Sequence, residues 1–379
     1  MKVSIVANGF QEQYVINLLN SLADTDVSID FIGADIYDKN EINPNVSFVN
    51  LRGSHNEHVS LLNKVIRVFK YYLQLILYFI RTDSKVIHVQ WFRFPFFEGV
   101  IISFIGRICN KKIFYTAHDV LPHDKDNRYN RILFWFIYRI QNVLIVHTEF
   151  IKERISNEFG ISNTKIFVIK HGVYIRKKDD SISRLNAKIK YCISPNEFSI
   201  LFFGNIVKYK GLNILLEAFK LLQNCGNFKL LIAGKVNPDY EVEMQRLRKE
   251  HDSNHIIYLL DYIPDNDIEF IFKASDVTVL PYLEASQSGV MFMSYAYGRP
   301  VIAPNLGGFK FDIIEGKTGF IFEVGCVNDL VNCVLKTRDL VINNDEDVSR
   351  EIIEIAESTY SWLEIAKVLV MVYKLNSYI

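Results

Sequence analysis

Short runs of β-branched and aromatic residues alternate along the chain with longer stretches whose apolar positions recur at helical spacing. The first run, VSIVA at 3–7, is followed by Asn8 and Gly9. Then comes QEQYVINLLNSL, in which Val15, Ile16, Leu18, Leu19 and Leu22 share one helix face. Strand-like runs return at 27–34, 85–90, 112–118, 143–148 and 165–172. From Arg176 to Asn196 the text turns polar and charged, after which FSILFFG, KLLIAG, IIYLLDY, VTVLPY and PVIAPN restart the rhythm. Strands alternating with helical stretches predict a parallel sheet in each half. The expected layout is α/β: a domain over 1–175, a linker over 176–198, a second domain over 199–348, and helices over 349–379.

Length and composition narrow this picture. A chain of 379 residues is long for one core, and 49% hydrophobic with 23% charged is the composition of a folded protein. Lys plus Arg and Asp plus Glu each number 43, so no overall charge favours nucleic acid as a partner. The five cysteines are scattered, odd in number and without a CxxC pair, which argues against a disulfide framework or a clustered zinc site and predicts a reducing, cytoplasmic setting. The opening MKVSIVANGF enters a strand pattern at once, with no apolar leader, so secretion is not expected.

One stretch differs from the rest. In LLNKVIRVFKYYLQLILYFIR, residues 61–81, Lys64, Arg67 and Lys70 recur every three residues and the uncharged run that follows is too short to cross a bilayer. Two readings fit: a helix lying in the interface of an anionic membrane, or a buried helix with a basic rim. A second aromatic-rich stretch, WFRFPFFEGVIISFIGR at 91–107, belongs to the same half.

In open parallel sheets ligands sit beyond the carboxyl ends of the strands, so the chemistry is sought there. After FSILFFG, Gly204 permits a tight turn, and Lys208 and Lys210 precede a helix; a lysine beside exposed N–H groups at a helix start suits a diphosphate. A solvated lysine fits the same local sequence. After VTVLPY, the small polar residues Ser286, Gln287 and Ser288 lead to Gly289 and an apolar helix, a pattern that serves ligand binding, helix capping, or both. No His, Asp or Glu set has metal-ligand spacing, which predicts a metal-independent protein without a cofactor.

Taken in order, FFGNIVKYKGLNILLEAF, LLIAGKV, YLLDYIPDNDIEFIFKASDVTVLPY, SQSGVMFMSYAYGRPVIA and NLGGFKFDIIEGKTGFIFEV resemble the retaining glycosyltransferases of family 4, which have the GT-B fold. IHVQW at 87–91, FYTAHDVLPHD at 114–124, HTEFIKERI and IKHGVY extend the resemblance through the first half. It implies two Rossmann-like domains facing each other across a cleft, a nucleotide-sugar donor held mainly by the second, and a saccharide acceptor held mainly by the first. The expected setting is assembly of bacterial surface polysaccharide by a cytoplasmic enzyme; a lipid-linked acceptor and a peripheral place on the inner face of the membrane rest only on the basic and aromatic stretch at 61–81.

Carried over by position, Lys210 resembles the family's diphosphate-binding lysine, and Asn205 stands where its arginine partner is usual, with Lys208 as a substitute charge. Ile263 falls where main-chain groups hold the nucleobase, and Ser286 to Gly289 where the sugar and phosphates are gripped. His118 resembles the active-site histidine beside the transferred sugar, and Asp119 adjoins it. Gly9 and His171 are further candidates, the first for close backbone approach to the substrates. The family's paired glutamates fall on Ala285 and Met293, and a later one on Phe311, next to Asp312. The resemblance therefore leaves two expectations open: an active hexosyltransferase with a divergent loop, or an inactive relative that binds nucleotide or a partner transferase.

Overall fold

A computed structural model describes residues 1–7, 9, 11–54, 60–122, 126–172, 182–285 and 288–377. The chain forms two compact units, one of residues 1–172 with 360–379, the other of residues 173–359.

In the first unit the strands are β1 (Lys2–Val6), β2 (Ser28–Gly33), β3 (Val46–Asn50), β4 (Val86–Val89), β5 (Lys112–Thr116), β6 (Val143–Val146) and β7 (Ile166–Val168). They lie in the order β3-β2-β1-β4-β5-β6-β7, and every paired neighbour is parallel. Helix α1 (Glu12–Ala23) lies on one face. Helix α2 (Leu61–Arg81), a π-helical turn Phe97–Ile102 running on into α3 (Ser103–Ile108), α4 (Arg128–Ile140) and α5 (Glu149–Phe159) cover the other. Because both faces are covered, the central strands are apolar on alternate positions in both directions, as continuous runs such as VLIV require.

In the second unit helix α6 (Arg184–Lys190) precedes β8 (Phe198–Phe203), α7 (Leu212–Leu222), β9 (Phe228–Ala233), α8 (Glu241–Glu250), β10 (Ile256–Leu259) and α9 (Asp265–Ala274). There follow β11 (Val277–Val279), α10 (Gly289–Ala296), β12 (Val301–Pro304), α11 (Phe309–Asp312), β13 (Gly319–Phe322), α12 (Val327–Val341) and α13 (Asp345–Tyr360). The sheet order is β10-β9-β8-β11-β12-β13, again parallel.

Helix α6 falls inside the interval expected to be linker. Its Lys188 ammonium lies 3.0 Å from the Asp276 carboxylate, and Arg184 pairs with both Asp276 and Asp345, so the segment is built into the second unit. Residues 176–181 of that interval lie outside the described residues. Of the two C-terminal helices, α13 packs in the second unit, with Arg299 bound to Asp345 and Ser349. The last helix, α14 (Trp362–Ser377), returns to the first unit and packs along α1. A buried polar contact fixes it there: the Tyr373 hydroxyl and His88 Nδ1 are 2.5 Å apart, and His88 Nε2 is 2.7 Å from Thr116 Oγ1.

Candidate functional site

In each sheet the strand order reverses between two neighbours, β1 and β4 in the first and β8 and β11 in the second. Loops leaving these strands diverge, so a crevice opens at their carboxyl ends. Gly9 follows β1, and Gly204 and Lys210 follow β8, at those ends.

In the second unit β8 runs into Gly204, whose φ of 99° is left-handed. A Cβ there would stand 2.9 Å from Lys210 Nζ, and one at Gly234 would stand 2.1 Å from the Gly204 carbonyl oxygen. Lacking both side chains, the loops after β8 and β9 close on one another and the lysine folds back over the strand end. Lys210 ends a single 3-10 turn, Lys208–Lys210, and Gly211, with φ 65°, admits the Pro281 carbonyl oxygen where a Cβ would meet it at 1.9 Å.

Lys210 is only 8% exposed and has no carboxylate partner among the described residues. Its ammonium lies 5.5 Å from the centre of the Tyr282 ring, and burial alone pushes its pKa down to about 8. A cation desolvated without a counter-charge is an expensive arrangement that an incoming anion relieves. Across from it, the Tyr282 hydroxyl is 3.3 Å from Ser288 Oγ, and burial raises the Tyr282 pKa so that the phenol stays neutral. Ser288 precedes α10 without capping it, and a Cβ built on Gly289 meets nothing within 4 Å. The first N–H groups of α10 thus begin at an open position beside a buried cation.

The other candidates separate. Lys208 is exposed, and its charge helps lower the Glu243 carboxyl on α8. Ile263 follows β10 and packs against the apolar cluster of Phe203, Leu231 and Ile271. Asn205 and Glu284 are exposed, Met293 joins that apolar cluster, Phe311 points to solvent and Asp312 is buried. Ser286 and Gln287 lie outside the described residues.

In the first unit Gly9, with φ 88°, donates its N–H to the Tyr37 hydroxyl at 3.2 Å. Three consecutive strands, β5, β6 and β7, are each followed within three residues by a histidine: His118, His147 and His171. The Trp91 ring stacks on His118 with centroids 4.1 Å apart and planes 6° from parallel. Tyr14 of α1 stands in their midst, its ring 5.2 Å from His118, 4.9 Å from His171 and 5.1 Å from Trp362 of α14. Asp119 lies close enough to favour the charged form of His147.

The hydrogen bonds fix the imidazole tautomers. His147 Nδ1 is 2.8 Å from the Ile169 carbonyl oxygen, which can only accept, so Nδ1 carries a proton. Burial lowers the His147 pKa to about 4, leaving the ring neutral at pH 7 and Nε2 a bare acceptor. The 3.1 Å contact between His147 Nε2 and His118 Nδ1 is therefore a bond donated by His118, whose own Nε2 is left as an acceptor. That Nε2 is buried without a hydrogen-bond partner among the described residues. Burial, then the neighbouring His147, His171 and His88, hold the His118 pKa well below its ordinary value. His147 is not among the residues singled out by sequence; the signal that could have found it is a histidine after each of three successive strands.

Comparison with known proteins fits this architecture. Residues 11–177 match the model of Glycosyltransferase Family 4, and residues 197–339 that of Glycosyl transferases group 1. The two parallel-sheet units are the GT-B fold. The chain belongs to the family 4, group 1 glycosyltransferases.

A D-inositol 3-phosphate glycosyltransferase of Pseudarthrobacter chlorophenolicus is 25% identical over 183 residues, 48% of this chain and 43% of the relative. The capsular polysaccharide biosynthesis glycosyltransferase CapM of Staphylococcus aureus is 28% identical over 188 residues, 48% of each chain. The aligned stretches thus span about half the length of these curated relatives. Among solved structures, sucrose-phosphate synthase from Thermosynechococcus elongatus superposes with a TM-score of 0.75 at 16% identity, covering 99% of this chain and 98% of that one. HepE of Anabaena, in complex with UDP and glucose, superposes with a TM-score of 0.72 at 17% identity over 99% of both chains. At these identities the likeness is one of fold.

Proposed function

We propose that this protein transfers a hexose from a nucleotide-sugar donor to a saccharide acceptor carried on a lipid, with retention of anomeric configuration. The observation that carries the proposal is Lys210, a buried ammonium without a carboxylate partner among the described residues, at the carboxyl end of β8 and beside the start of α10. A nucleoside diphosphate supplies the missing negative charge, and the α10 N–H groups, Ser288 and Gly289 receive its remaining oxygens. Ser286 and Gln287 complete that loop in sequence, Ile263 is assigned to the base, and Gly204 lets the lysine approach. Lys208 adds charge at the rim.

His118 and Gly9 are assigned to the transferred sugar, and Asp119 to acceptor or loop orientation. In the reaction the bond from the anomeric carbon to the diphosphate oxygen breaks, and an acceptor hydroxyl bonds that carbon on the same face. The acceptor's proton passes to the leaving diphosphate, and positioned polar groups stabilise the oxocarbenium-like transition state. The diphosphate charge falls to Lys210 and backbone N–H groups, so no metal is included. That UDP and glucose occupy HepE supports a nucleotide-sugar donor, and CapM supports polysaccharide assembly. Work on a lipid-linked acceptor would bring the protein to the inner face of the membrane. The test is transfer of label from UDP-, GDP- and ADP-hexoses into a lipid extract, with and without EDTA.

A second reading has a specific observation behind it. The positions of the family's charged residues hold an exposed Asn205, Ala285, a packed Met293 and an exposed Phe311. An inactive relative that binds nucleotide to regulate a partner fits these, and it predicts nucleotide binding without turnover.

A further inference from the structure

Helix α2 carries more apolar surface than the core uses. Tyr71, Tyr72, Leu75 and Phe79 face the sheet, while Leu61, Val65, Phe69, Leu73 and Leu77 run at four-residue steps along a second stripe and are exposed. Among the described residues nothing packs over that stripe, and Phe69 is 71% exposed. The elements beside α2 repeat the pattern. The π-turn with α3, and then α4, are the next two crossovers in the chain, β4 to β5 and β5 to β6, and they pack side by side on the same sheet face. Phe104 and Ile108 of α3 and Trp135 and Phe136 of α4 are also exposed. An exposed apolar surface extended over three neighbouring elements marks a docking face.

Its charge identifies the occupant. The whole chain has no net charge, yet α2 bears four Lys or Arg residues, the π-turn with α3 one, and α4 three. The sole acid in those elements is Glu98, which is buried and receives the Tyr72 hydroxyl at 2.7 Å. Along α2 the cations Lys70 and Arg81 border the apolar stripe on one side, as in a helix lying in a lipid interface. A second copy of this chain would set the same cations against each other, and nucleic acid has no use for the leucines. No helix among the described residues is long and apolar enough to cross a membrane.

We infer that the outer face of α2, α3 and α4 docks flat on an anionic lipid bilayer, with Phe69, Phe104 and Trp135 entering the headgroup boundary and Lys70 and Arg81 meeting lipid phosphates. This surface deepens the membrane setting proposed above but stands on its own residues, so it can hold even if the transfer chemistry fails.

The test is co-sedimentation of the full chain with vesicles of phosphatidylcholine alone, or of phosphatidylcholine with an equal amount of phosphatidylglycerol. Wild type should pellet with the anionic vesicles, more weakly with added salt. Phe69→Glu with Leu73→Glu should weaken binding to both vesicle types by about tenfold or more, since two apolar side chains then bring charge into the interface. Lys70→Glu with Arg81→Glu should remove the preference for anionic lipid. Unchanged melting and nucleotide binding in the second unit check that the variants fold. Wild type left in the supernatant with both vesicles would overturn the inference. So would variants that bind as wild type does, or a concentration-dependent dimer abolished by the Phe69→Glu, Leu73→Glu pair.

Discussion

His118 Nδ1 and His147 Nε2 stand 3.1 Å apart, and because His147 Nδ1 is committed to the Ile169 carbonyl, the proton between the rings belongs to His118. The arrangement depends on both rings being neutral, and so does the stability of the first unit.

Four imidazoles are held neutral by burial: His88 and His171 at about 3, His147 at about 4, and His118 well below 6.5. The sign follows from proton binding. Below pH 6.5 the unfolded chain takes up protons that the folded chain refuses, so stability is complete above that pH and is lost as pH falls from 6.5 towards 3. Each imidazole contributes a slope of about 1.4 kcal/mol per pH unit only between pH 6.5 and its own folded value. Melting curves between pH 7 and 4 should show a steep fall in Tm, shallower in His147→Gln. A flat profile would mean that the cluster is open to water.

Lys210 behaves in the opposite sense. Its pKa falls on folding, so the unfolded chain binds more protons between about pH 8 and 10.5, and stability rises with pH through that window. Replacing it with methionine removes a desolvated charge, and Lys210→Met should stabilise the free protein at pH 7 by about 2 kcal/mol. Nucleotide affinity of the wild type should decline above pH 8, where the amine is neutral. Titration at pH 7 and pH 9.5 checks this, and equal affinity at both would remove Lys210 from the site.

Glycine at 172 is required by the last helix. A Cβ there would lie 2.2 Å from the Trp362 indole, so Gly172→Ala must displace either the tryptophan or the end of the segment after β7. A cost of about 1–3 kcal/mol is expected, partly recovered when Trp362→Phe is added. Denaturant unfolding of both proteins measures it.

Gly211→Ala should be worse. Its Cβ would meet the Pro281 backbone oxygen at 1.9 Å at a left-handed φ of 65°, with no side chain to give way. Loss of soluble protein, or of nucleotide binding in what remains, is the expected outcome. By contrast, Gly289→Ala, which meets nothing within 4 Å, should fold as wild type does.

Most of the fold could be read from the chain, because a parallel strand covered on both faces is an unbroken apolar run. β3 and β13 escaped that reading: in VSFVN only Val46 is fully buried, and GFIF is short and opens with a glycine. Helix α6 was hidden by its charge, since Arg184 and Lys188 signal a solvated linker until Asp276 and Asp345 are found beside them. Lys210 was legible from its place after β8, but its lack of a carboxylate partner among the described residues was not. The pairing of His118 with His147 joins residues 29 positions apart, and only the adjacency of β5 and β6 brings them together.

The central claim, an anion-binding site at Lys210 that receives a nucleoside diphosphate, is tested most directly by thermal stabilisation with UDP, GDP and ADP in wild type and Lys210→Met. At a hundred times its dissociation constant the matching nucleotide should stabilise wild type by about 2.7 kcal/mol and leave the variant unmoved. Equal stabilisation of both proteins, or none of either by any nucleotide, would contradict it.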